Sequence, residues 1–254
     1  MATHNYEYRY ELKPDRFVYI QTKNSAIRGK AIIKQVLKKY NPHQIFYHLE
    51  RRGGHVAALR LHQKSKYFSR FDITNFFGQV SRTRVARSLR SVGFKAPRAF
   101  NIAMESVVVE GNAGKVLPYG FCQSPVLATL SLEQSHLGSE LKRLNGAGFL
   151  VSVYMDDILI SAEHKDVLEE ASEAIMQSAN IALFPLSPNK IAIATAGVDT
   201  FNCHIEANTI TILDERMESF ILQHGLTTDD GKQAIEKYIG AVSIDELDRF
   251  LKMM

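Results

Sequence analysis

Only two cysteines occur in the 254 residues, Cys122 and Cys203, and they lie far apart. They make neither a disulfide framework nor a metal-ligand spacing, and they fit a reducing, cytoplasmic setting. No run of 18 or more apolar residues is present, so no membrane span is expected. The polar, aromatic start, MATHNYEYRYELK, lacks the apolar stretch of a secretory leader. Internal repeats and low-complexity tracts are missing as well. Hydrophobic residues make up 45%, which suits one or two globular domains with a sizeable core and argues against disorder.

Charge is scarce in net terms, at +4, but it is unevenly placed. Residues 1–100 carry 21 of the 31 Lys/Arg and 5 of the 27 Asp/Glu, a balance of +16. Residues 101–254 carry the other 10 and 22, a balance of −12. A basic first half is what a polyanionic partner requires, since each phosphate neutralised releases counterions. It equally suits a solvated basic face that complements the acidic half.

Periodicity gives a coarse map. A strand is expected near 17–20, and AIRGKAIIKQVLKKY reads as a helix with Ile32, Ile33, Val36 and Leu37 on one face. Tyr67–Asp72 reads as a strand. A helix with Ser81 as N-cap and Gly93 as its stop follows, then another over 97–109 and a loop from Gly111 to Gly120. Ser124-Pro125 reads as the start of one long helix that Gly146 closes, with Ser124 as N-cap. Residues 149–161 read as a hairpin and 164–179 as a helix with Val167, Leu168, Ala171 and Ile175 inward. Strands are expected at 190–194, 200–206 and 209–213, and short helices in 215–254. The class is α+β with a small sheet.

The hairpin holds the chemistry. In VSVYMDDILIS, Asp156 and Asp157 sit between apolar runs. Alone, the pair reads as an ordinary turn with two solvated acids. Asp72 changes the weighing, because it ends an aromatic strand, YFSRFD. If that strand lies beside the hairpin, three carboxylates converge and repel. Two Mg²⁺ ions about 3.5–4 Å apart would neutralise them and clamp a phosphoryl displacement.

Four stretches in order, FDITNFF (71–77), LPYGF (117–121) with Ser124-Pro125, YMDD (154–157) and Pro188-Asn189-Lys190, resemble motifs A to D of the reverse transcriptase palm. The resemblance covers roughly 45–213 and is nearest to bacterial lineages (retron, group II intron and defence-associated), while the YMDD spelling is also the retroviral one, so the subfamily stays open. It implies a right-hand polymerase with fingers over 1–66 and a palm over 67–213, its sheet ferredoxin-like and its fingers helices inserted. A reduced helical thumb over 214–254 completes it. Asp72 and Asp156 match the metal ligands, Asp157 a supporting acid, and the Ile73 carbonyl a further ligand of the Mg²⁺ pair (Mn²⁺ being an alternative). Lys190 matches the lysine that protonates pyrophosphate. Phe77 matches the gate that rejects a ribose 2′-hydroxyl. Tyr119, beside Gly120, replaces the family's usual Gln near the incoming sugar. Phe201, Cys203 and His204 resemble a primer-supporting hairpin. Arg51, Arg52, Arg60, Lys64 and Lys66 are the candidates for the dNTP triphosphate.

The function so implied is RNA-directed synthesis of DNA, from a noncoding RNA template in a bacterial antiviral system. A protein partner or self-association would compensate for the short thumb. The alternatives are template-independent or protein-primed DNA synthesis and a non-catalytic scaffold for RNA or a partner. An RNA-dependent RNA polymerase is disfavoured by Met155 and Phe77.

Overall fold

A β-hairpin opens the chain: β1 (Tyr6–Lys13) and β2 (Arg16–Gln21) pair antiparallel. β1 was not evident in the sequence, because its Tyr8, Tyr10 and Leu12 are exposed and show no inward face. The computed structural model describes residues 5–14, 16–49, 53–111 and 114–254. α1 (Lys23–Leu37) follows, capped where Thr22 accepts the Ser25 amide. Ile32 and Val36 face the core, while Leu37 lies exposed. α2 (Gly54–His62) leads into β3 (Tyr67–Asp72).

The helical layer then forms: α3 (Arg82–Ser91), capped by Ser81 on the Arg84 amide, and α4 (Ala96–Glu105). A small hairpin, β4 (Val108–Glu110) and β5 (Gly114–Val116), lies inside the expected helix end and loop. The long helix expected after Ser124 is two helices, α5 (Ser124–Glu133) and α6 (His136–Gly146). The break is made by Ser135, whose hydroxyl donates to the Leu132 carbonyl and accepts the Gly138 amide. Nor is Ser124 the cap: Gln123 already has helical angles, and Ser124 is the first helical residue.

The central sheet is completed by β6 (Leu150–Tyr154), β7 (Asp157–Ala162) and, after α7 (Lys165–Ile181), β8 (Ala192–Thr195). Its order is β6-β7-β3-β8, all antiparallel. With its helical crossovers this is the ferredoxin-like arrangement expected. Side-chain alternation splits it into two faces. Phe71, Ile158 and Ile160 enter the main core with α3 to α7. Phe68 and Leu159 enter a second core on the opposite face.

That second core is closed by α2, by a three-stranded sheet and by the last helices. The sheet holds β9 (Gly197–Thr200), β10 (Cys203–Glu206) and β11 (Thr209–Ile212). The helices are α8 (Asp214–Leu226), α9 (Asp229–Val242) and α10 (Ile244–Met253). Met217, Phe220, Ile239, Val242 and Phe250 are their buried apolar contribution. Val167, expected inward on α7, is instead exposed. No helix among the described residues is long and apolar enough to cross a membrane.

Candidate active site

Three carboxylates gather where β3 ends and the β6–β7 hairpin turns. Asp72 pairs directly with Asp157 across the ladder. The Ile73 amide donates to the Asp156 carbonyl at 2.9 Å, which ties the hairpin turn to the chain leaving β3. Met155 takes φ +60 to make this two-residue turn, a costly angle for an unbranched but bulky side chain. Arg70, Asp72 and Asp157 share the sheet face of Phe68 and Leu159. That face is apolar at one end and acidic at the other, so the aliphatic run Ile158–Leu159–Ile160 and the acids occupy the same strand without conflict.

Each acid has a distinct environment. Asp72 is only 4% exposed. Lys190 Nζ donates to its Oδ2 at 2.6 Å and Ser187 Oγ to its Oδ1 at 2.7 Å. The Ser187 amide also donates to the Asp72 carbonyl at 2.8 Å. Asp157 Oδ1 accepts from Arg70 Nη2 at 2.8 Å and Nε at 3.2 Å. Arg70 Nη1 continues to the Asp199 carbonyl at 2.7 Å. Burial pushes Asp157 above the usual carboxylate range and Arg70 opposes this. Among the described residues no cation is bonded to Asp156, and Lys190 acts on it only at a distance. Burial first, then repulsion from Asp157 and Asp72, raises its carboxyl to about 6. A group in that state gains most from an added cation.

Among the described residues no three His, Cys, Asp or Glu side chains are gathered closely enough to hold a metal on their own. The convergence expected of three acids is therefore partial, because Arg70 draws the Asp157 carboxylate to itself. Asp72 and Asp156 remain the oxygen donors that suit a hard cation.

One wall of the site is aromatic. Phe76 lies in the core, and Phe77 is 7% exposed. The Tyr119 ring meets Phe77 edge-on at 4.7 Å. The Tyr119 hydroxyl is buried with no hydrogen-bond partner among the described residues. Burial raises it, Arg16 opposes, and Asp156 and Asp72 add to the rise. Gly120 is required here: at φ +97, an added Cβ would lie 2.3 Å from the Tyr19 carbonyl. This contact and the Tyr19 amide on the Tyr119 carbonyl at 2.9 Å dock β2 onto the loop.

The other expected residues are placed as follows. Cys203 is fully buried and its thiol is pushed up to about 12 by burial. It packs in the second core, where its side chain is not exposed. Phe201, with Asn202, forms the β9–β10 turn at φ +52 and +62, and its ring lies 5.7 Å from Tyr154. His204 Nδ1 is 2.6 Å from Asp199 Oδ1 at the partly exposed edge. Arg60 donates to the Ala241 carbonyl of α9 at 2.7 Å. Lys64 precedes Ser65, which bonds Ser161 at the far end of β7. Five strand residues separate that end from Asp72, about 17 Å. Lys64 thus adjoins the other end of the sheet, Arg60 is engaged with α9, and Arg51 and Arg52 lie outside the described residues. Arg16 was missed: its guanidinium lies 5.0 Å over the Tyr119 ring. Nothing in the sequence distinguishes it from the other basic residues around it.

Three solved structures share this fold. Telomerase from Candida albicans, in complex with a fragment of telomeric RNA, superposes with TM-score 0.57 at 9% identity, over 89% of this chain and 46% of that one. The foamy viral protease–reverse transcriptase in complex with double-stranded DNA gives 0.50 at 20%, over 92% and 35%. An RNA polymerase complex inside a double-stranded RNA virus gives 0.53 at 12%, over 89% and 25%. The fold is thus that of the right-hand polymerases. Residues 16–240 match the reverse transcriptase (RNA-dependent DNA polymerase) family, and the chain belongs to it. A 77-residue stretch is 38% identical to the Gag-Pol polyprotein of Rous sarcoma virus subgroup B (strain Schmidt-Ruppin). It is 38% identical to that of avian leukosis virus subgroup A (isolate RSA) too. The match covers 30% of this chain and 5% of either polyprotein.

Proposed function

We propose that this chain is an RNA-directed DNA polymerase that extends a primer hydroxyl by nucleotidyl transfer. The observation that carries the reading is Asp72 set beside the Asp156–Asp157 turn, with Asp156 half-buried and paired with no cation among the described residues. Asp72, Asp156 and the Ile73 carbonyl would hold Mg²⁺ or Mn²⁺, with Asp157 as supporting charge. Divalent ions there would neutralise the charge that develops on the transferring phosphoryl group.

The chain's own residues do the rest. A 3′-hydroxyl attacks the α-phosphorus of a dNTP; a P–O bond forms and pyrophosphate leaves. Lys190, 2.6 Å from Asp72, stands where it can give a proton to the pyrophosphate. Phe77, braced by Tyr119, fills the space of a ribose 2′-hydroxyl and selects deoxynucleotides. Arg16, over the Tyr119 ring, replaces Arg60 and Lys64 as the cation for the triphosphate. The Phe201 turn, packed on Tyr154, supports the primer end.

The template is RNA; a noncoding RNA of a bacterial antiviral system rests on the motif resemblance alone, while the 77-residue match is to retroviral polyproteins. A protein partner or a second copy is supported by the last helices, which expose Leu222, Leu226, Ile244 and Leu251. Protein priming has one supporting observation, the exposed Tyr8 and Tyr10 of β1.

The test is incorporation of labelled dNTPs with Mg²⁺ by protein purified with its retained nucleic acid, against Asp156→Asn/Asp157→Asn. Synthesis that the double variant and RNase both abolish supports RNA templating. RNase-resistant synthesis favours untemplated or protein-primed extension. No synthesis with any partner or RNA added back favours a scaffold.

A further inference from the structure

The helical layer, on the sheet face opposite the carboxylates, holds a cavity of about 370 Å³. It lies between α3, the α5–α6 junction and the end of α7. Arg84, Arg87, Ser88, Ser131, Ser135 and His136 contribute to its lining, and no carboxylate does. Glu133, adjacent in sequence, is turned elsewhere, to the Tyr40 hydroxyl at 2.5 Å and the His43 amide at 3.3 Å.

Two polar groups in this lining are unpaired. Arg84 Nη1 and Ser131 Oγ are both buried without a hydrogen-bond partner among the described residues. Ser131 is 2% exposed. Buried polar groups are rarely left so, because the lost hydration is not repaid. The Arg84 side chain is also fixed. Its Nη2 donates to the Ala182 carbonyl at 2.8 Å, and its guanidinium lies 4.3 Å over the Phe184 ring. Arg87 adds a second guanidinium near enough to repel the first. Finally, α6 begins here, behind its Ser135 cap, and directs the positive end of its dipole at the same space.

The geometry points to a phosphate-binding pocket distinct from the carboxylate site, in which Arg84, Arg87, Ser131 and the α6 N-terminus hold one phosphate group of a nucleotide or of an RNA backbone. Two guanidinium forks and a hydroxyl donor match a tetrahedral oxyanion with several acceptor oxygens. The phosphate satisfies Arg84 Nη1 and Ser131 Oγ and relieves the repulsion between the arginines. No residue of this pocket belongs to the carboxylate site, so binding here does not depend on polymerisation.

Inorganic phosphate is titrated calorimetrically into the full chain without Mg²⁺, with chloride at equal ionic strength as reference. Saturable binding is expected, weakened about tenfold in Arg87→Gln and in Ser131→Ala, the loss of one charge-assisted or buried hydrogen bond. Asp156→Asn should bind as the parent does. Arg84→Gln would also remove the cap of α7, so the two milder variants decide. The absence of saturable binding, or binding unchanged in both variants, overturns the pocket. AMP and a short single-stranded RNA without terminal phosphate then compete. Displacement by RNA, with ultraviolet crosslinks to residues 82–91 or 131–136, assigns a backbone phosphate. Displacement by AMP alone assigns a nucleotide. Displacement by neither overturns a phosphorylated ligand.

Discussion

Asp72 and Asp157 stand opposite each other in the β3–β7 ladder, yet each carboxylate is held by a different cation, Lys190 for the first and Arg70 for the second. Two facing acids at the end of a sheet are tolerable on these terms. Arg70 reaches Asp157 because it lies two residues before Asp72 and so projects from the same face.

Arg70 is therefore expected to stabilise the site through Asp157. Arg70→Gln should cost about 1–3 kcal/mol, the penalty of leaving a largely buried charge without its partner. Adding Asp157→Asn should restore most of the loss. Urea unfolding of the two single variants and the double one gives the coupling directly. Additive losses would show that the 2.8 Å contact carries no coupling.

Asp156 should show the opposite trade between activity and stability. Its carboxylate is raised to about 6 by burial and by Asp157 and Asp72, so its ionised form is a burden on the folded chain at neutral pH. Asp156→Asn should lower nucleotide incorporation by roughly 10³-fold or more. Without added metal it should also raise the melting temperature. A variant that loses activity and melts lower would have lost it through misfolding.

The aromatic wall sets the sugar preference. Phe77 is braced by Tyr119 at 4.7 Å, so Phe77→Val should open the space and raise NTP use relative to dNTP by roughly 10–100-fold. Tyr119→Phe keeps the ring and should leave the ratio near that of the parent. Single-nucleotide incorporation with paired dNTP and NTP series measures both.

Much of the site could be read from the sequence. Reading YFSRFD as a strand and 151–161 as a hairpin put Asp72, Asp156 and Asp157 at the ends of strands, and the resemblance to the palm motifs set those strands side by side. Cys203 was grouped with the primer contacts through the resemblance of the 201–205 hairpin, which does not tell a core side chain from an exposed one; its side chain lies in the second core. Arg60, Lys64 and Arg16 were indistinguishable, because a basic side chain carries no local mark of its distance from a site. The Arg70–Asp157 pair needed the β3–β7 register, which spans 87 positions of the chain. The α5–α6 break was hidden because Ser135 between leucine-rich segments reads as a helix interior.

His62 gives a pH dependence that is independent of the active site. It is fully buried, with Nδ1 2.7 Å from Ser161 Oγ and Nε2 2.9 Å from Ser152 Oγ. Burial presses its pKa down to about 3, whereas an unfolded histidine titrates near ~6.5. Below that value the unfolded chain takes up a proton that the folded chain refuses. Stability from this residue is therefore level above about pH 7 and falls from about pH 6.5 down to about 3, by up to about 1.4 kcal/mol per pH unit. His48, lowered to about 4 by burial, adds in the same direction. Asp156, raised to about 6, acts oppositely, since the folded chain binds its proton first. Comparison with His62→Gln cancels both. Urea midpoints from pH 7 to 4.5 should fall more steeply for the parent than for His62→Gln. Parallel curves would show that His62 takes up its proton in the folded state as readily as in the unfolded one.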